Sequence, residues 1–177
     1  MSAPVKLTSE EKYLIVTLPL RVGIKVSTVD DEGDELGADV KELNVIKKTV
    51  ERSEKIHRAS ILVGYVARKS KKINLGDLAV GDLCGDAKKV NDIIKKFYTE
   101  DDVTSYKKML VEVGTSVARA YREEGLVWDD NEAGKFDEFT SKVSNFFGSI
   151  INRERHLDMN ISPSEDEVIT DVVLAMK

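Results

Sequence analysis

The sequence has few of the residues on which several common protein classes depend. Cys84 is its single cysteine, so no disulfide can form within the chain, and two histidines (His57 and His156) disfavour zinc catalysis. Three prolines and eleven glycines are too few for the many tight turns of a β-sandwich. No apolar run approaches the roughly 20 residues that span a bilayer, and residues 1–11 lack the apolar core of a signal peptide. These absences predict a cytoplasmic protein with no membrane partner.

The composition is that of a globular chain with unevenly distributed charge. Hydrophobic residues make up 41% and charged residues 33% of 177 residues, which predicts a single folded domain. Residues 30–42 hold seven acids and one base, whereas residues 47–72 hold nine Lys or Arg and two acids. Because the basic stretch has an acidic neighbour and few aromatics, we interpret it as a solvated face and expect no nucleic-acid partner.

The apolar pattern predicts an all-α bundle of about seven helices, since no segment alternates with period two. Thr8-x-x-Glu11 is a capping box that opens a helix apolar on nearly every side from Tyr13 to Ile24, as in the middle of a bundle. Pro19 predicts a kink in this helix, and Gly23 predicts a close helix–helix crossing. Asp39 is the expected cap of the next apolar pattern, which continues to about Arg68 as one helix or two.

The remaining segments are expected to be helical with two acidic turns. Three Gly-Asp pairs between Gly76 and Asp86 predict a loop, with Asp86 capping a helix over 87–98. A helix over 101–124 follows, and then a second acidic turn and an apolar helical face from Phe136 to Ile150. Ser164-x-x-Glu167 predicts a capping box for a last helix over 168–176.

The first and the fifth predicted helices resemble each other. Residues 8–29 align without a gap on residues 99–120 at an offset of 91, which places Thr8 on Thr99 and Val22-Gly23 on Val113-Gly114. This alignment predicts an internal duplication with halves at about 8–70 and 99–155. The alternative is that any two capped amphipathic helices align this well at their best offset.

The acidic turns are the candidate site. Clustered carboxylates supply the oxygen ligands that Ca²⁺ or Mg²⁺ prefers, so the sequence predicts divalent-metal ligands in both turns. The alternative is a solvated turn whose charges favour the N-terminus of the following helix. A calcium-binding helix–loop–helix beginning at Asp31 is excluded by Gly33 and Leu36, which occupy its third and sixth positions. The predicted metal ligands are Asp30, Asp31, Glu42, Asp129, Asp130 and Glu138.

An apolar helix that ends in Val-Gly-x-x-Val, an acidic turn with Gly and a Glu on the next helix resemble the tellurite-resistance TerB-like families. The resemblance covers the turn regions around Asp30, Asp31, Gly33 and Glu42, and those around Gly125, Asp129, Asp130 and Glu138. It implies an all-helical, pseudo-symmetric protein that binds a divalent metal through the turns, in a stress or metal response. Glu32 separates Asp31 from Gly33, whereas those families favour Asp followed directly by Gly.

Other polar patterns are interpreted as structural. Glu54-x-x-His57 has the spacing of di-iron ligands, but a di-iron bundle needs two such motifs, so we expect a surface pair. Cys84 is expected to pack as a small hydrophobe. With no nucleophile–base pair or phosphate loop, we predict a non-enzymatic module that binds a divalent cation or a basic partner. The alternative is a scaffolding subunit that self-associates through the 136–150 face.

Overall fold

The computed structural model describes residues 7–29, 40–122 and 161–177, and within these ranges it contains helices and no strands. The all-α prediction is therefore confirmed. None of the described helices is both long and apolar enough to cross a membrane. The helices are α1 (Ser9–Thr28), α2 (Val40–Ile56), α3 (Ile61–Ser70), α4 (Leu83–Phe97), α5 (Glu100–Arg122) and α6 (Pro163–Ala175), with a 3-10 turn at Leu75–Asp77.

Helix α1 lies at the centre, as its apolar pattern predicts. Thr8 and Glu11 form the predicted capping box: the Thr8 N–H donates to the Glu11 carboxylate at 2.7 Å, and the Glu11 N–H donates to the Thr8 hydroxyl at 3.1 Å. Every residue from Ile15 to Ile24 is buried. Such a helix needs neighbours on all sides, and α2, α3, α4, α5 and α6 all pack against it.

Helix α5 supplies the hydrogen bond that Pro19 removes from α1. Because proline has no N–H, the Ile15 carbonyl one turn earlier loses its helical donor. The Tyr106 hydroxyl donates to this carbonyl at 2.7 Å. Tyr106 is fully buried, and this burial raises the pKa of its hydroxyl well above the ordinary value. The hydroxyl therefore stays protonated as a donor.

Two glycines allow α1 to approach its neighbours closely, and the Gly23 crossing is confirmed. A Cβ on Gly23 would lie 2.6 Å from the Ile46 side chain and 3.1 Å from that of Val113. A Cβ on Gly114 would lie 2.7 Å from Ile169 and 3.6 Å from Val22. Since contacts join Ile15 to Tyr106 and then residues 22 and 23 to 113 and 114, α1 and α5 run parallel.

Helices α2 and α3 form a hairpin, which settles the number of helices between 40 and 70. The chain leaves helical geometry after Ile56, and Ser60 caps α3 by accepting from the Val63 N–H at 3.2 Å. Ion pairs join Glu54 to Arg68 at 3.1 Å and Glu51 to Lys71 at 2.9 Å, so the two helices are antiparallel. The break between the two helices lies at residues 57–60.

Two predicted helix starts were wrong. Asp82, not Asp86, caps α4 by accepting from the Gly85 N–H at 2.9 Å, so the third Gly-Asp pair lies inside the helix. The last capping box is formed by Ser162 and Glu165, with Pro163 at the first helical position. Each region offers two acceptable capping residues: Arg21 binds the Asp86 carboxylate and Asp82 caps α4, whereas Pro163 suits the first helical position after Ser162.

We predict that Tyr106→Phe lowers the free energy of unfolding by about 1–3 kcal/mol, because it leaves the buried Ile15 carbonyl without a donor. Urea denaturation measures the change. Tyr13→Phe is the matched control, since Tyr13 is 55% exposed, and its cost should stay within about 0.5 kcal/mol. Pro19→Ala in the Tyr106→Phe background restores an N–H and should recover part of the loss. Equal losses of unfolding free energy in Tyr106→Phe and Tyr13→Phe would contradict a role for the Tyr106 hydroxyl.

Candidate functional site

The structure describes one of the six predicted metal ligands. Asp30, Asp31, Asp129, Asp130 and Glu138 lie outside the described residues. Glu42 lies in the first turn of α2, is 6% exposed and interacts with a neighbouring group. Within the described ranges, no three His, Cys, Asp or Glu side chains are arranged to hold a metal ion. The metal role of the turns therefore stays a prediction.

The helix ends that flank both acidic stretches lie at one end of the bundle. Since α1 and α5 run parallel with Ile15 beside Tyr106, their C-terminal ends at Thr28 and Arg122 point the same way. Helix α2 runs in the opposite direction, because Ser53 contacts Glu112 whereas Ser60 contacts Asp102, nearer the start of α5. Its first residue, Val40, therefore lies toward the same end. We call it the acidic end, defined by Thr28, Val40 and Arg122.

A polar cluster is buried where α2 packs on α5. Glu112 is 2% exposed. One of its carboxylate oxygens accepts from the Ser53 hydroxyl at 2.6 Å, and the other lies 2.8 Å from Nε2 of His57. Ser53 and His57 are one turn apart on α2, so both point at the same partner. The cluster fixes how α2 lies on α5.

The cluster lacks the order needed for nucleophilic catalysis. In a nucleophile–base–acid relay the histidine lies between the hydroxyl and the carboxylate, whereas here the carboxylate of Glu112 lies between Ser53 and His57. Ser53 is also fully buried, which keeps its hydroxyl from a substrate. The arrangement positions α2 on α5.

Glu54 and His57 of the Glu-x-x-His pattern have different partners in the structure. Glu54 binds Arg68, and His57 turns to the buried Glu112 instead. The prediction of a surface pair was therefore wrong for His57, whose side chain is 11% exposed. The sequence feature that could have indicated a buried partner for His57 is Glu112, a single acid between Val111 and Val113 in an apolar run.

Two further hydroxyls continue the polar cluster toward the acidic end. Thr49 lies one turn before Ser53, and Ser116 lies one turn after Glu112. Both are buried, and their hydroxyl oxygens have no hydrogen-bond partner. Buried polar atoms of this kind in natural proteins are commonly satisfied by ordered water. The α2–α5 contact is thus polar over about two turns, from Thr49 to His57.

Asp102 ties the start of α5 to the start of α3. Its carboxylate accepts from the hydroxyls of Ser60 at 2.7 Å and Thr99 at 2.8 Å, and from the Leu62 N–H at 3.4 Å. Burial opposes ionisation, but these hydrogen bonds outweigh it and hold the pKa of Asp102 below its ordinary value. Beside it, burial and then the nearby Tyr65 and Asp102 raise the pKa of Tyr98 to about 12.

Arg21 is a buried cation inside α1 that anchors the loop before α4. Its guanidinium donates to the Val80 carbonyl at 2.8 and 2.6 Å and to the Asp86 carboxylate at 2.7 Å. Gly81 follows with φ of 61°, and a Cβ there would lie 2.9 Å from the guanidinium. Cys84, expected to be packed, is instead exposed, because capping by Asp82 turns its side chain outward at the first turn of α4.

We predict that Glu112→Gln lowers the free energy of unfolding by about 1–3 kcal/mol, since an amide cannot accept from Ser53 and His57 as the carboxylate does. Thermal and urea denaturation at constant pH measure the effect. Glu51→Gln is the control because its ion pair with Lys71 is about half exposed. Such surface pairs contribute about 0–1 kcal/mol. A Glu112→Gln protein as stable as Glu51→Gln would refute a structural role for the cluster.

We predict that Asp102 contributes to acid sensitivity. Its folded pKa is depressed, so its contribution is present above the unfolded value of about 3.9 and is lost as pH falls through the folded pKa. Asp102→Asn should therefore be less stable than wild type at pH 7, and the gap should narrow below about pH 4. Urea midpoints from pH 3 to pH 7 test this. A stability difference between wild type and Asp102→Asn that is constant across this range would contradict the prediction. Asp101→Asn, at an exposed position, is the control.

Comparison of the chain with protein-family models, curated proteins and solved structures finds no match. The resemblance to the TerB-like families thus stays a prediction that rests on the turn residues alone.

Proposed function

We propose that this chain is a non-enzymatic helical module whose acidic end binds a divalent cation, Ca²⁺ or Mg²⁺. The observation that carries the proposal is the common direction of the helix ends at Thr28, Val40 and Arg122. Two acidic stretches that are about 90 residues apart in sequence begin or end there. Together they offer more carboxylates than either stretch alone, and a hard cation takes six to eight oxygen ligands.

The burial of Glu42 supports the same proposal. A carboxylate that is 6% exposed at the first turn of α2 carries a desolvation cost, which its interaction with a neighbouring group offsets. It is also the last acid of the 30–42 stretch, so it joins that stretch to a rigid helix. Ligands held on rigid elements lose less conformational entropy when a metal binds.

The internal duplication belongs to this proposal, because it makes the two turns equivalent. The Tyr106 hydroxyl contacts the residue 91 positions earlier, which is the offset of the sequence alignment. Gly23 and Gly114, also 91 apart, each face an isoleucine of a further helix and a valine of the other central helix. These paired contacts support a pseudo-twofold relation between α1 and α5.

The test is calorimetric titration of Ca²⁺, Mg²⁺ and Mn²⁺, together with melting temperature against metal concentration. We expect saturable heat, and a stabilisation of about 2.7 kcal/mol at a hundred times the Kd. Asp30→Asn with Asp31→Asn should reduce the affinity at least about tenfold, because two anionic ligands are lost.

The matched control is Asp92→Asn with Asp101→Asn. It removes the same charge from two exposed acids of α4 and α5 that are not in the stretches. This variant should bind metal as wild type does. No heat and no change in melting temperature at millimolar metal would remove the proposal, as would an equal loss of affinity in the control. The alternative scaffolding role depends on residues 136–150, which lie outside the described ranges, and it stays a prediction.

A further inference from the structure

The outer surface of the α2–α3 hairpin is basic. Lys48 and Lys55 lie one turn before and one turn after Glu51, and Arg58 lies one turn beyond Lys55. Lys71 reaches this row from α3 by its ion pair with Glu51. All five side chains are exposed. We call Lys48, Lys55, Arg58 and Lys71 the basic ridge.

The acids of the hairpin do not neutralise the ridge. Glu51 and Glu54 are the two acids between residues 47 and 72, and they pair with Lys71 and Arg68. No described carboxylate lies within ion-pair distance of Lys48, Lys55 or Arg58. The hydrogen bond from Lys71 to Glu51 also raises the pKa of that lysine. Lys71 of the ridge therefore already binds a carboxylate. Lys48, Lys55 and Arg58 have no described carboxylate partner and can bind the carboxylates of another chain.

Glu42, the described acid of the 30–42 stretch, is close to one end of the ridge and far from the other. Lys48 is six positions beyond Glu42 in α2, about 9 Å at 1.5 Å per residue, whereas Lys55 is 13 positions beyond it, about 20 Å. Screening reduces interactions beyond about 8 Å at physiological ionic strength. Glu42 therefore does not neutralise Lys55, which lies in the last turn of α2.

From this geometry we propose that the basic ridge docks the acidic end of a second copy of this chain. The inference rests on the proposed function, because both require the acidic end to bind positive charge. In the proposed function the positive charge is a metal ion, and here it is the lysine and arginine side chains of the ridge. The two surfaces differ, so the contact is head-to-tail and adds copies in a row unless the row closes into a ring. Seven acids against one base in residues 30–42 match the surplus of cations on the ridge.

The observations favour a polypeptide over a nucleic acid as the occupant. The cations alternate with Glu51, whose carboxylate would lie against a phosphate backbone at a cost. Tyr65, the aromatic side chain nearest in sequence, is 6% exposed and cannot stack on a base. A carboxylate-rich segment, by contrast, meets lysines in the geometry that Glu51 and Lys71 already show.

The experiment is sedimentation equilibrium of the intact chain without divalent metal at 20 mM and 300 mM NaCl. Wild type should associate at low salt, and the association constant should fall at least about tenfold at high salt. Lys48→Glu with Lys55→Glu should be monomeric at both salt concentrations. Both positions are exposed helix positions where glutamate is a good helix former, so the variant should keep its circular dichroism spectrum.

A mixing experiment tests the head-to-tail geometry. Asp30→Lys with Asp31→Lys keeps the ridge but reverses part of the acidic end, so it too should be monomeric alone. Mixed with Lys48→Glu/Lys55→Glu, it should form a complex that stops at 1:1, since one intact ridge meets one intact acidic end. The control Lys88→Glu/Lys96→Glu makes the same charge change at two exposed lysines of α4 and should associate as wild type does.

Several results would overturn the inference. Wild type that is monomeric at millimolar concentration in 20 mM NaCl would do so, and so would loss of association in the control. A wild type that stays monomeric but binds a 20-nucleotide DNA through Lys48 and Lys55 would replace the second copy by a nucleic acid. Calorimetry on the monomeric Lys48→Glu/Lys55→Glu variant separates the two proposals: saturable metal binding there leaves the proposed function intact even when self-association fails.

Discussion

The fold depends on satisfying one backbone carbonyl at its centre. Helix α1 is buried on all sides, and Pro19 leaves the Ile15 carbonyl without its helical donor in a region that water does not reach. An unsatisfied carbonyl there costs about 1–3 kcal/mol, a large part of the 5–15 kcal/mol by which a domain is stable. The Tyr106 hydroxyl removes this cost and fixes the register of α5 on α1. The close contacts at Gly23 and Gly114 then follow from that register.

The other buried polar groups also join different helices. Arg21 links α1 to the start of α4, Glu112 links α5 to α2, and Asp102 links α5 to α3. Apolar contacts alone tolerate sliding, because one methyl group replaces another at little cost. A buried carboxylate or guanidinium accepts only the partners that satisfy it, so displacement of either helix is penalised. These links specify one packing of the helices, and the apolar core provides most of the stability.

Acidic and basic residues are concentrated in different segments of the chain. The helix ends that flank the acidic stretches point one way, and Lys55 of the basic ridge lies in the last turn of α2, at the other end of that helix. The net charge of -5 does not show that acids are concentrated in residues 30–42 and bases in residues 47–72. Separated opposite charges favour ordered association over nonspecific attraction, because only one relative orientation brings the two surfaces together.

The sequence determined the helices, their apolar faces and the central place of α1. A capping box at Thr8, apolar residues at helical spacing and the absence of alternation are local patterns, and local patterns suffice to predict the helices. It also predicted that Gly23 lies at a close crossing. One member of the candidate site, Glu42, could be placed on a helix from its spacing, but its burial could not be deduced.

The tertiary structure alone decided which polar groups meet. Asp86 is as good a capping residue as Asp82, but its carboxylate binds Arg21 of α1, and Asp82 caps α4 instead. The local spacing pairs His57 with Glu54, but in the structure the His57 side chain contacts Glu112, which is 55 residues away in sequence. Local spacing fixes the face on which a side chain lies, whereas its partner depends on which helix packs against that face, and that is a property of the whole chain.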